Sequence, residues 1–166
     1  MSIDLPPNAP RTSAEAFAYI GNLPDRVTID DLKILALVEA IGKELYDDLA
    51  SRTSDAAVAE LLRANGREEL VHAHRVSEAI EILTGTAFPI PPIGKNPIYT
   101  PLDPMPVTRE SLIKLADAEF GGRDLYAGVA ASFEAEAAKE LFAKNGEEER
   151  GHGERLLRAA DLLPAG

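Results

Sequence analysis

Two stretches of the chain carry the same succession of apolar and polar positions, and in both the spacing is helical. Leu32, Leu35, Leu45 and Leu49 share one stripe, as do Leu112, Leu115, Leu125 and Val129. A second stripe follows each: Val58, Leu61, Leu62, Val76, Ile80 and Leu83 in the first stretch, Leu141, Phe142, Leu156 and Leu163 in the second. Thr28 and Thr108 stand ahead of the first stripes as N-caps, and the acids Asp30, Asp31 and Glu110 suit the positive end of a helix. The polar group Ser51-Arg52-Thr53-Ser54, echoed near Ser132, predicts the turn within each unit. The pattern therefore predicts an all-α protein of four helices in two hairpins.

The two stretches are copies. Residues 26–86 laid over residues 106–166 without a gap match Val27-Thr28 to Val107-Thr108, Glu39 to Glu119, Gly42 to Gly122, and Leu45-Tyr46 to Leu125-Tyr126. The matches continue with Asn65-Gly66 and Asn145-Gly146, Glu68-Glu69 and Glu148-Glu149, His72 and His152, Arg75 and Arg155. Between the copies, residues 87–105 contain six prolines and can be neither helix nor central strand. As extended chain at about 3.1 Å per residue this segment reaches almost 60 Å. A helix of about 25 residues is shorter than that at 1.5 Å per residue, so the second and third helices can run parallel. The expected organisation is an extension over 1–25, with a short helix near Ser13 to Ile20 and a disordered first dozen residues, then a bundle over 26–166. Within the bundle, repeat one is 26–86, the crossover 87–105 and repeat two 106–166.

Composition narrows the chemistry. A formal net charge of −11 disfavours nucleic acid and anionic membranes as partners, because both need clustered Lys and Arg. No apolar run approaches the roughly 20 residues that span a bilayer, and Met1-Ser2-Ile3-Asp4 lacks the pattern of a leader, so a cytoplasmic location is expected. With no cysteine in the chain, disulfides, thiolate nucleophiles and cysteine-held metals are excluded. Any metal must be held by oxygen and imidazole.

Six residues supply such a set. Glu69 and His72, like Glu149 and His152, are three apart and so share a helix face. Glu39 precedes Glu69 by 30 residues and Glu119 precedes Glu149 by the same 30, which places one further carboxylate on the partner helix of each hairpin. Glu39 interrupts a largely apolar path through Leu32, Leu35, Tyr46 and Leu49, and Glu69 and His72 interrupt another through Leu62 and Val76. Four carboxylates aimed into one interior repel one another and lose hydration, and two divalent cations compensate both costs. Carboxylate and imidazole ligands suit iron or manganese. The rival reading makes all four glutamates solvated surface charges.

One Glu from each of two helices with Glu-x-x-His from each of the others resembles the ferritin-like di-iron carboxylate superfamily, most nearly its rubrerythrin-like branch. Tyr46 and Tyr126, seven residues after the first glutamates, and the small residues Gly42 and Gly122, three after them, are similar to that branch as well. The chain differs from typical rubrerythrins in having no cysteine for a rubredoxin-type module and Gly122 where they place a further Glu. The resemblance implies a ferritin-like four-helix bundle with two Fe ions (or Mn), Glu69 and Glu149 bridging, Glu39 and Glu119 terminal, and His72 and His152 on one ion each. It also implies that Tyr46 and Tyr126 hydrogen-bond ligand carboxylates and that Gly42 and Gly122 line space beside the metals. The expected activity is an oxidoreductase, ferroxidase-like, with dioxygen or peroxide as reactant, an unidentified electron donor and a homodimeric state. The alternatives are an iron-sequestering protein without turnover and a hydroxylase of the demethoxyubiquinone type.

Three features stay outside that set. Asn65-Gly66 and Asn145-Gly146 put glycine inside a helix at a cost of about 1 kcal/mol each, which suggests a π-bulge, a close helix contact or inheritance of the duplication alone. Arg75 and Arg155 read as surface charges, with pairing to outer carboxylates as the alternative. His74 faces away from His72 and is given no metal role.

Overall fold

The computed structural model describes Ile3 and residues 5–164. Met1, Ser2, Asp4, Ala165 and Gly166, which bound the extension and the bundle read from the sequence, lie outside the described residues. Five α-helices form among the described residues: α1 Ser13–Ile20, α2 Ile29–Ser51, α3 Ala56–Thr84, α4 Arg109–Ala131 and α5 Glu136–Leu162, with a 3₁₀ turn at Ile93–Lys95. There is no strand among the described residues. The starts of α2 and α4, and those of α3 and α5, are related by the same offset as the sequence copies.

The helices begin where local chemistry satisfies their free N–H groups. Thr28 accepts from the Asp31 N–H while Asp31 accepts from the Thr28 N–H, a capping box, and Thr108 forms the same box with Ser111. Asp55 accepts from the N–H groups of Ala57 and Val58 at the head of α3. Gly85 ends α3 at φ +71°, a left-handed conformation that a residue with a Cβ adopts only with strain.

Helices α2 and α3 pack as one hairpin and α4 and α5 as the other, and the hairpins meet chiefly through α3 and α5. Asn65 lies near His152 while His72 lies near Asn145, so α3 and α5 are antiparallel. It follows that α3 and α4 run parallel, as the long crossover requires. This is the ferritin-like topology.

The crossover does more than connect. Phe88 and Ile98 are buried in the core around Leu35 and Leu37, and the Asn96 side chain donates to the Leu37 carbonyl at 3.0 Å. This explains why α2 is apolar on nearly every side from Ile34 to Ile41. Its counterpart α4 has no such cover and buries only Leu112, Ala116, Tyr126 and Val129. Helix α1 is tied to the crossover through Ser13, whose hydroxyl donates to the Thr100 carbonyl at 2.7 Å and accepts from the Thr100 N–H at 2.9 Å. The expectation of a disordered first dozen residues is corrected for the described part: Ile3, Leu5 and Ala9 pack against the core. Their few apolar side chains carry no periodic signal, so the sequence pattern does not announce this packing. No helix among the described residues is long and apolar enough to cross a membrane.

Candidate metal centre

The duplication brings six polar side chains to the middle of the bundle. Glu39, Glu69 and Glu149 are buried, Glu119 is nearly so, and His72 and His152 are fully enclosed. Glu39, Glu69, His72 and Glu149 bring one potential ligand atom each within 4.8 Å of one another, and so do Glu69, Glu119, Glu149 and His152. Glu69 and Glu149 belong to both groups. The pair at the centre can therefore serve two cations, while Glu39 with His72, and Glu119 with His152, each serve one.

The donor set fits metal on a direct observation. Nδ1 of His72 and Nδ1 of His152 are buried and make no properly directed hydrogen bond among the described residues, and an orphaned buried nitrogen is a costly feature. Both atoms face carboxylate oxygens: His72 Nδ1 lies 3.1 Å from Glu149 and 3.6 Å from Glu39, and His152 Nδ1 lies 3.3 Å from Glu69 and 3.5 Å from Glu119. A cation between them uses both the lone pairs and the negative charge.

Without cations, protons must hold the cluster together. Burial opposes the charge on His72, but contact with Glu148, Glu149 and Glu39 outweighs it and pushes its pKa up to about 12. His152, buried beside Glu119, Glu149 and Glu69, is likewise pushed up to about 12. Burial raises Glu69 well above the usual carboxylate range and Glu119 to about 7. In Glu149 burial works the same way but is overcome by His152 and His72, which hold its carboxyl below that range.

Around these six residues lies a ring of contacts that crosses from one repeat to the other. The Tyr46 hydroxyl donates to Glu119, and the Tyr126 hydroxyl donates to Glu39 at 2.6 Å. His72 Nε2 lies 3.0 Å from Glu148, and His152 Nε2 lies 3.1 Å from Glu68. With Nε2–H donated outward, Nδ1 keeps its lone pair for the interior. Arg75 in turn donates to Glu148 and to Asn145, and Arg155 to Glu68 and to Asn65. The reading of Arg75 and Arg155 as surface charges is thus corrected: each closes a network behind its own repeat's histidine through a glutamate of the opposite repeat, with its side chain only about a fifth exposed. Glu68, Glu148, Asn65 and Asn145 were not singled out for this role. Their identity at matched positions was the available signal.

The glycines answer a different need. Helix α3 is regular α through Gly66, so there is no π-bulge, and a Cβ there would lie 3.1 Å from the Tyr46 Cβ. Gly66 and its counterpart Gly146 let neighbouring helices approach closely. At Gly42 a Cβ would lie 2.9 Å from Glu69 Oε2, and at Gly122 it would lie 2.8 Å from Glu149 Cγ. These two leave room for the central carboxylates. His74 is exposed and away from the cluster.

A family model described as Rubrerythrin matches residues 36–160. Among solved structures, a hypothetical protein from Pyrococcus furiosus is similar over 87% of this chain and 94% of its own, with a TM-score of 0.64 and 21% identity. At that identity the likeness shows a common fold alone. No curated protein matches the sequence.

Proposed function

The chain belongs to the rubrerythrin family, and from that premise we propose that it is a non-haem di-iron carboxylate protein that reacts with dioxygen or peroxide. The observation that carries this reading is the pair of buried, unpartnered Nδ1 atoms facing four enclosed carboxylates. Glu39 and His72 would hold one ion, Glu119 and His152 the other, and Glu69 and Glu149 both. When bound, two ferrous ions supply the electrons that reduce dioxygen or peroxide; manganese suits the same ligands.

The protein's own part is to assemble and orient that set. Tyr46 and Tyr126 fix the rotamers of Glu119 and Glu39 by donating a hydrogen bond to one oxygen of each. Glu68 and Glu148, held by Arg155 and Arg75, keep the imidazoles in the tautomer that presents Nδ1 inward. Gly42 and Gly122 leave Glu69 and Glu149 the space that a Cβ would take. An electron donor is needed for repeated turnover. Anaerobic ferrous loading followed by air or peroxide tests the proposal. The expected result is consumption of the oxidant at a rate that depends on Glu69 and Glu149, with near-ultraviolet absorption of the ferric product. Oxidation no faster than free ferrous ion in buffer contradicts it. Ferric product that stays bound after one cycle, even with reductant present, favours sequestration over catalysis.

A further inference from the structure

Between α2 and α4 a cleft of about 500 Å³ opens onto the carboxylates of Glu39, Glu69, Glu119 and Glu149. Its walls are Val38 and Leu45 from α2 and Leu115 and Leu125 from α4, with Phe17 from α1 and Leu102 from the crossover. We propose that this cleft binds an uncharged, largely apolar organic molecule with one end against the four carboxylates. The inference rests on the two-metal reading for the charge of the cleft's floor.

Three observations point this way. The volume lies in the range of small-molecule sites, whereas a molecule the size of water needs only about 30 Å³, so access for dioxygen or peroxide does not account for it. The charge pattern selects the ligand. Among the described residues no Lys, Arg or His lines the cleft, and its charged members are Asp103 and the four glutamates. Two divalent cations balance the charge of the four glutamates, so the floor carries no net positive charge to draw a carboxylate or phosphate, and the exposed Asp103 disfavours either. Finally, the cover is not part of the duplication. The repeats alone would leave the metal centre bare between α2 and α4, and α1 and the crossover, joined through Ser13 and Thr100, roof it with Phe17, Ile20, Leu102 and Met105.

N-phenyl-1-naphthylamine, a neutral dye whose fluorescence rises in apolar surroundings, serves as the probe, titrated into iron-loaded protein. Saturable binding of about one dye per chain is expected, displaced by 1-dodecanol roughly tenfold more effectively than by dodecanoate. Leu115→Trp and Leu102→Trp fill the cleft from two different elements, and each should weaken dye binding roughly tenfold or more while the iron content stays unchanged. Ile90→Trp, in a separate apolar groove beside Phe88, should leave affinity within about twofold. Circular dichroism identifies the wall variants that fold, and either one suffices. The proposal is overturned if no saturable binding occurs, if a folded wall variant binds as the parent does, if Ile90→Trp abolishes binding, or if dodecanoate competes as well as the alcohol. Iron counted on the same samples separates the two readings. Full iron without dye binding sinks the cleft alone, and dye binding without iron sinks the metal centre while the cleft stands.

Discussion

Tyr126 on α4 donates its hydroxyl to Glu39 on α2 at 2.6 Å, so a tyrosine of one repeat orients a carboxylate of the other. Tyr46 does the same for Glu119. Replacing Tyr126 by Phe leaves an enclosed carboxylate one donor short, at a cost of about 1–3 kcal/mol. Tyr126→Phe should therefore weaken one metal site by roughly 10- to 100-fold and leave the other near its parent affinity. Competition against a coloured chelator resolves the two. Unchanged affinity at both sites would make the tyrosines ordinary core aromatics.

The outer carboxylates should behave as a symmetrical pair. Glu148 is held down at about 2 by its hydrogen bond to His72 and then by Arg75, so it is an anion at any working pH. Glu148→Gln replaces that anion with a neutral amide and loosens the His72 tautomer. A loss of roughly tenfold to 100-fold in affinity at the Glu39 and His72 side is expected, and Glu68→Gln should do the same at the His152 side. Metal titration of the single and double variants checks this.

Gly42 and Gly122 are equivalent by sequence but not by contact. A Cβ on Gly42 meets the mobile end of Glu69 at 2.9 Å, whereas on Gly122 it meets Glu149 at Cγ, 2.8 Å, and at Cβ, 3.1 Å. Alanine gains about 1 kcal/mol of helix propensity over glycine. Gly42→Ala should thus keep or slightly raise the thermal midpoint while lowering metal affinity. Gly122→Ala, which presses on the root of a side chain, should cost about 1–3 kcal/mol. Melting curves of the metal-free proteins, paired with metal counts, read out both.

Protonation and metal binding compete for one cluster, and the competition fixes the sign of the pH effects. The stabilisation from His72 and His152 is fully present below their ordinary pKa of 6.5 and is lost as pH rises toward about 12. Glu119 acts in the same direction: burial favours its neutral form, so stability falls as pH rises from 4.5 through about 7. Metal-free protein should become less stable between about pH 6 and 9. Iron or manganese must displace the imidazole protons, so metal affinity should rise over the same range, with proton release on binding. Melting temperatures with and without metal should diverge as pH rises, and calorimetry in buffers of different ionisation enthalpy counts the protons.

The hairpins, the crossover and the inward glutamates were legible because each left a periodic or duplicated mark: Glu39 and Glu119 break apolar stripes, and six prolines forbid helix between the copies. What the sequence hid was tertiary. Arg75 and Arg155 look like surface charges because their partners, Glu148 and Glu68, lie on a helix from the other repeat. The apolar cleft is invisible for the same reason, since its walls join α1 and α2 to the crossover and α4, which are distant from them in sequence. The apolar excess of α2 makes sense only once Phe88 and Ile98 are seen to cover it.

Diffraction from iron-loaded crystals at the iron absorption edge tests the central claim most directly. Two anomalous peaks are expected, both between Glu69 and Glu149, one beside Nδ1 of His72 and one beside Nδ1 of His152. Peaks found only on exposed acids, or none at all from fully loaded protein, would contradict it.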